Sequence, residues 1–250
     1  MRPFLILILA TLLAFMPHHA GSQVVAGTHT PSDSVRYQPR PLVSAQLPVS
    51  LTLITSGALT HAWQPMTDIN HHFRDNMQQW RQDHLDNRRF YFDNYIQYLP
   101  VATVVVLKLA GVESQRPLLH LATSLAGSYL TMGAIVITSK SIFDLQRPDG
   151  RGHNTFPSGH TATAFTGAEA LRLEYGRQHP WIAVAAYAVA TTTGLMRTYN
   201  NRHWLGDVIA GAGIGILSAN FSFWLTDRIY SRRHSSLPAT SYLTPSYILQ

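Results

Sequence analysis

At 250 residues the chain is long enough for one domain with a full hydrophobic core. Hydrophobic residues make up 46% and charged residues 13%, against about a quarter charged in soluble globular proteins; this leans toward a protein in or on a membrane, although the mean hydropathy of -0.01 is low for a chain built mostly of spanning helices. The net charge of +6 is carried almost wholly by arginine, whose planar fork suits phosphate oxygens, but its scatter from Arg36 to Arg233 lacks the stripe of a nucleic-acid binder, and the absence of cysteine excludes disulfides, zinc-thiolate sites and cysteine nucleophiles.

Arg2, the apolar run Phe4 to Met16 and the exit Pro17 to Gly21 read as an export signal over residues 1–20, because the run is too short for a span. Residues 21–45 are rich in Ser, Thr, Pro and Val without periodicity and read as an extended lead-in. From Pro65 to Tyr95 the chain turns polar, with Ile69, Phe73, Met77 and Trp80 at helical spacing, which predicts an amphipathic helix on a core or on a membrane surface. His71 and His72, adjacent on that helix, diverge by about 100° and are expected at the surface rather than on a shared metal.

Five apolar helical runs follow: Ile96 to Ala110, His120 to Thr138, Thr161 to Leu173, Trp181 to Met196 and Val208 to Leu225. Gly- or Pro-marked breaks separate them, strand alternation is missing, and the fold class is all-α, a helical bundle over residues 46–230 with a Ser/Thr/Pro/Tyr tail over 231–250. The runs fall short of the roughly 20 residues a span needs, and Glu169 with Arg172 would be costly in hydrocarbon unless both face the bundle interior. If all five cross with residues 139–160 outside, Arg172, Arg177 and the stretch Arg228 to His234 fall on the cytoplasmic side, as the excess of basic residues there requires.

Three segments place basic and histidine residues beside the ends of these runs. Lys140 and Arg147, seven apart, share a face if the helix continues, and two fixed cations at that spacing can hold one phosphate. In Phe156-Pro157-Ser158-Gly159-His160, Ser158 is a natural N-cap, the first-turn amides make an anion site, Gly159 permits close backbone approach, and His160 stands where it could protonate a leaving oxygen. Arg197 precedes His203 by six residues, and His203 and Asp207 have the four-residue spacing of one helical face, with the carboxylate fixing the tautomer of a nucleophilic ring. Each segment taken alone also reads as ordinary caps, solvated charges or a structural His-Asp pair, and a metal site of His153, His160, His203 and Asp207 is a further reading.

Together the three segments resemble the signature of the type 2 phosphatidic acid phosphatase family, which includes bacterial acid phosphatases and vanadium haloperoxidases. Lys140 to Pro148, Pro157 to His160, and Arg197, His203 and Asp207 stand at the family spacings; Met196, where serine usually precedes the arginine, is the one departure. The resemblance implies a phosphohistidine on His203 oriented by Asp207, His160 as acid and then base, and Lys140, Arg147, Arg197, Ser158 and Gly159 on the equatorial oxygens, with neither metal nor cofactor. It implies a phosphorylated lipid as substrate, with lipid A, undecaprenyl pyrophosphate, phosphatidylglycerol phosphate and phosphatidate as candidates, and no obligate protein partner. The expected place is a bacterial inner membrane with a periplasmic active site, or the periplasm. A soluble broad-specificity acid phosphatase, a haloperoxidase and a non-catalytic lipid-binding protein are the alternatives.

Overall fold

The computed structural model describes residues 46–235, all-helical with turns and loops between; the expected signal over 1–20, the lead-in and most of the tail lie outside the described residues. Eight helices are found among them: α1 Gln46–Ala62, α2 Gln64–Leu85, α3 Asp93–Ile96, α4 Leu99–Leu109, α5 Leu118–Ile142, α6 Gly159–Tyr175, α7 Pro180–Tyr199 and α8 Leu205–Ser235. Proline in the first turn of α2, α4 and α7 presets their start, where its missing N–H costs no helical bond.

Helix α8 is the axis of the bundle, packed against α1, α5 and α6, while α6 also meets α4, α5 and α7. A shared core of Val104, Leu121, Phe165, Leu171, Tyr187, Ile216 and Phe223 fills the space between them. Close approach of α8 to α6 depends on small residues: a Cβ at Gly211 would lie 2.6 Å from the Ser158 carbonyl oxygen, and one at Gly215 would lie 2.5 Å from that of Ala162. The N-termini of α6 and α8 and the C-termini of α5 and α7 therefore share one end of the molecule.

Three expectations change. Helix α1, which no periodicity marked out, exists because Gly57 lets it lie on α8. The single amphipathic helix over 65–95 ends at Leu85, where Asp86 and Asn87 take left-handed φ of 46° and 60°, a conformation short polar residues tolerate; α3 starts afresh at Asp93. Two apolar runs are longer than the sequence suggests, giving α5 and α8 the length and apolarity to cross a membrane. Glu169 proves fully buried and faces the interior, where Arg172, Tyr187 and Asn220 donate to its carboxylate. At the end far from the shared helix termini, buried Arg116 donates to both Glu174 and Asp227.

Candidate active site

All three segments singled out in the sequence converge on the end where α6 and α8 begin. Ser158 is the N-cap of α6, its Oγ accepting from the Thr161 amide, and its own amide donates to the Asp207 carbonyl at 3.0 Å, so the second segment is bonded to the third. The helix leaves the first-turn amides of Gly159 and His160 without intrahelical acceptors at its positive end. A Cβ on Gly159 would meet only Val136 Cγ1 at 3.8 Å, so protein packing does not demand glycine there; open space beside the backbone remains for a ligand.

His203 does not lie on a helix with Asp207, as the spacing suggested. Helix α8 begins at Leu205, and Asp207 reaches back to accept from the Trp204 amide at 3.0 Å, capping its own helix from the third position. The same carboxylate oxygen stands 3.3 Å from His203 Nδ1 and accepts from Thr155 Oγ1, while the other oxygen is 2.8 Å from His61 Nε2. Asp207 and His203 are both buried. Held on Nδ1 by a carboxylate, the ring presents Nε2 as the free nitrogen. Burial pushes the His203 imidazole below its ordinary value, only partly offset by the hydrogen bond to Asp207, so the ring is neutral near pH 7.

Lys140 and Arg147 also depart from the expected common helical face. Helix α5 ends at Ile142, Phe143 is extended, and Arg147 sits in a loop closed by its amide on the Gly152 carbonyl at 2.9 Å. Pro148 disfavours a helical conformation at Arg147, because a residue before proline is pushed out of the helical region. Lys140 Nζ donates to the Asn154 carbonyl at 2.5 Å, tying α5 to the loop that leads into Ser158. Arg197, at the end of α7, completes the cationic wall; its charge and that of Arg147 act on His160.

His160 stands in the first turn of α6, its Nε2 3.0 Å from Asn94 Oδ1. Burial and then the Arg197 guanidinium lower it to about 4. His153 is not part of this cluster; it pairs with exposed Asp144 at 3.1 Å, and among the described residues no group of three metal-ligating side chains gathers. His71 and His72 are both exposed, as expected, with His71 stacking on Trp204 at 4.7 Å.

Four residues of the site carry no signal in the sequence. Thr155 and His61 bind Asp207, Asp93 binds Arg197 at 2.6 Å, and Asn94 meets His160. His61 and Asp93 lie 146 and 104 residues from their partners. Only packing brings them there. Chemically the arrangement offers a neutral ring nitrogen beside a carboxylate, a second imidazole, fixed cations and helix amides, which are the parts needed to attack phosphorus and to stabilise spreading negative charge.

Residues 117–231 match the model of the PAP2 superfamily, a span that takes in all three segments. Over 237 residues the chain is 33% identical to the lipid A 1-phosphatase of Porphyromonas gingivalis, covering 90% of this chain and 51% of that protein. Over 77 residues it is 36% identical to the bacitracin transport permease protein BcrC of Bacillus licheniformis, covering 30% of this chain and 36% of that protein. The chain thus spans about half the length of the first relative and about a third of the second. Among solved structures, Aquifex aeolicus LpxE superposes with a TM-score of 0.47 at 25% identity, covering 62% of this chain and 94% of that one. A transmembrane PAP2 type phosphatidylglycerolphosphate phosphatase from Bacillus subtilis gives 0.47 at 17% identity, with 75% and 96% covered.

Proposed function

The chain belongs to the PAP2 superfamily, and from that premise we propose that it is a membrane-embedded phosphatase that removes a phosphate from a lipid through a phosphohistidine on His203. The observation that carries this reading is the meeting of His203, bound to Asp207, with His160 and the Lys140, Arg147 and Arg197 cations at one end of the bundle. His203 Nε2 attacks phosphorus while Asp207 Oδ2 holds Nδ1–H and stabilises the cation that forms. The phosphorus–ester oxygen bond breaks, and His160 gives its proton to that oxygen. In the second step His160 takes a proton from water, whose oxygen attacks phosphorus and releases His203 and inorganic phosphate. Lys140, Arg147, Arg197, the Ser158 hydroxyl and the Gly159 amide hold the three equatorial oxygens.

Burial and the Arg197 charge leave His160 neutral at pH 7. A bound phosphate dianion opposes the Arg197 charge and brings the ring toward the protonated form that the first step uses. A lipid is favoured over a soluble ester because α5 leaves Leu118, Leu119, Leu130, Ile137 and Ile142 exposed, a long apolar face suited to a bilayer. The similarity over nine-tenths of the chain to a lipid A 1-phosphatase makes the glycosidic phosphate of lipid A the first candidate. The soluble alternative loses one argument, since Glu169 is satisfied inside the bundle.

The test is phosphate release from lipid A, an isoprenyl pyrophosphate, phosphatidylglycerol phosphate, phosphatidate and a soluble monoester, in detergent micelles. Lipid A is expected to turn over fastest, and His203→Ala to lose about a thousandfold or more of the rate while keeping its melting temperature. Undiminished turnover in His203→Ala removes the assignment of the nucleophile.

A further inference from the structure

We propose that Asp93 and Asn94, neighbours on the four-residue helix α3, are positioning residues that aim the Arg197 guanidinium and the His160 imidazole at the substrate phosphate. The proposal deepens the phosphatase reading and rests on it.

Asp93 is fully buried, a placement that is costly for a carboxylate unless it is paired. Its Oδ2 accepts from Arg197 Nη1 at 2.6 Å and its Oδ1 from Asn200 Nδ2 at 3.2 Å. Arg197 is held from one side only, because its Nε is buried without a partner. A guanidinium has five N–H donors in a fixed plane, so pinning one edge on Asp93 sets the direction of the rest. The next residue serves the other movable member of the pocket. Asn94 Oδ1 takes His160 Nε2–H at 3.0 Å, which fixes the ring plane and favours a proton on that nitrogen.

The mounting of α3 supports a positioning role. Asn200, three residues beyond Arg197, donates to the Phe90 carbonyl at 2.6 Å and accepts from the Phe90 amide at 3.3 Å. The Tyr199 hydroxyl donates to the Arg88 carbonyl at 2.7 Å, and Gln97 Nε2 donates to the Asn94 carbonyl at 2.8 Å. The segment before α3 is thus bolted to the end of α7 that carries Arg197. From α3 the Asp93 and Asn94 side chains then reach the Arg197 cation and the His160 ring.

The full chain in detergent, assayed on phosphatidate in mixed micelles with inorganic phosphate as inhibitor, gives the first measurement. Asp93→Asn keeps the charge of Arg197 and loses its aim. Its kcat is expected to fall about tenfold or more and the inhibition constant of phosphate to rise, at an unchanged melting temperature. The second measurement follows the His160 titration by NMR on histidine-labelled protein. Asn94→Asp is expected to move it to higher pH by placing a carboxylate on the ring, and Asp93→Asn to move it to lower pH by removing a nearby negative charge. Wild-type kcat in Asp93→Asn, loss of kcat together with melting temperature, or a His160 titration unmoved in both variants overturns the proposal. Should the wild-type chain hydrolyse no phosphate ester, the phosphatase reading fails on its own, and the titrations still judge the two residues.

Discussion

The Asp207 carboxylate shows how one side chain can serve a fold and a site at once. It caps α8 through Trp204, ties to Thr155 and His61, and leaves one oxygen near His203 Nδ1. Around it the two histidines of the proposed mechanism, His203 and His160, are both held below their ordinary value by burial. The folded chain therefore refuses protons that the unfolded chain accepts between about pH 6.5 and, for His160, about 4. Stability rises with pH wherever the unfolded state binds more protons, so acidification through that window destabilises the protein, and the loss stops once His160 itself is charged. His160→Asn is expected to flatten part of this slope, measured as melting temperature against pH in detergent. A slope identical to wild type between pH 6.5 and 4 would show that His160 titrates normally.

At the scale of elements, the pocket depends on how closely α8 meets α6 and α1. Gly211 faces the Ser158 carbonyl at the start of α6, with 2.6 Å available to a Cβ, and that oxygen belongs to backbone that cannot swing away. Gly211→Val is expected to push the Ser158 turn off α8, costing about 1–3 kcal/mol of stability by overpacking. Phosphate affinity should fall with it, which calorimetry on the folded variant would show; affinity equal to wild type would mean that the α6 N-terminus does not hold the ligand. The same contact explains which elements were legible. Ser158 declared its helix start through local capping chemistry, and the apolar runs declared α4 to α8 by period and length. Helix α1 was silent because its role is contact with α8 across Gly57 and Gly206, which no local pattern encodes. The sequence likewise gave the spacing of Lys140 and Arg147, or of His203 and Asp207, without revealing that the second pair spans a helix boundary and the first a loop. Asp93, Asn94, Thr155 and His61 were invisible because long-range packing alone makes them neighbours of the site.

Across the described residues buried charges occur at the site end and away from it, and how those away from it are satisfied bears on how the molecule sits in a membrane. Charged groups in the middle and far parts of the bundle are internally paired: Glu169 with Arg172 and Asn220, and Arg116 with Glu174 and Asp227. Satisfied in this way they do not oppose a bilayer, because the cost of a charge in hydrocarbon applies to a side chain facing lipid. The outward faces are apolar over the same depth, with Leu130 and Ile137 on α5, Trp181 and Val184 on α7 and Leu225 and Ile229 on α8 exposed. Exposed apolar side chains on three helices are suited to hydrocarbon. Alkaline carbonate and high salt, which strip proteins held by surface charge, are therefore expected to leave the chain in the membrane pellet, and detergent to release it. Release by carbonate alone would mean that α5 and α8 lie on the membrane or in water, and the proposed lipid substrate would then have to be drawn out of the bilayer to reach His203.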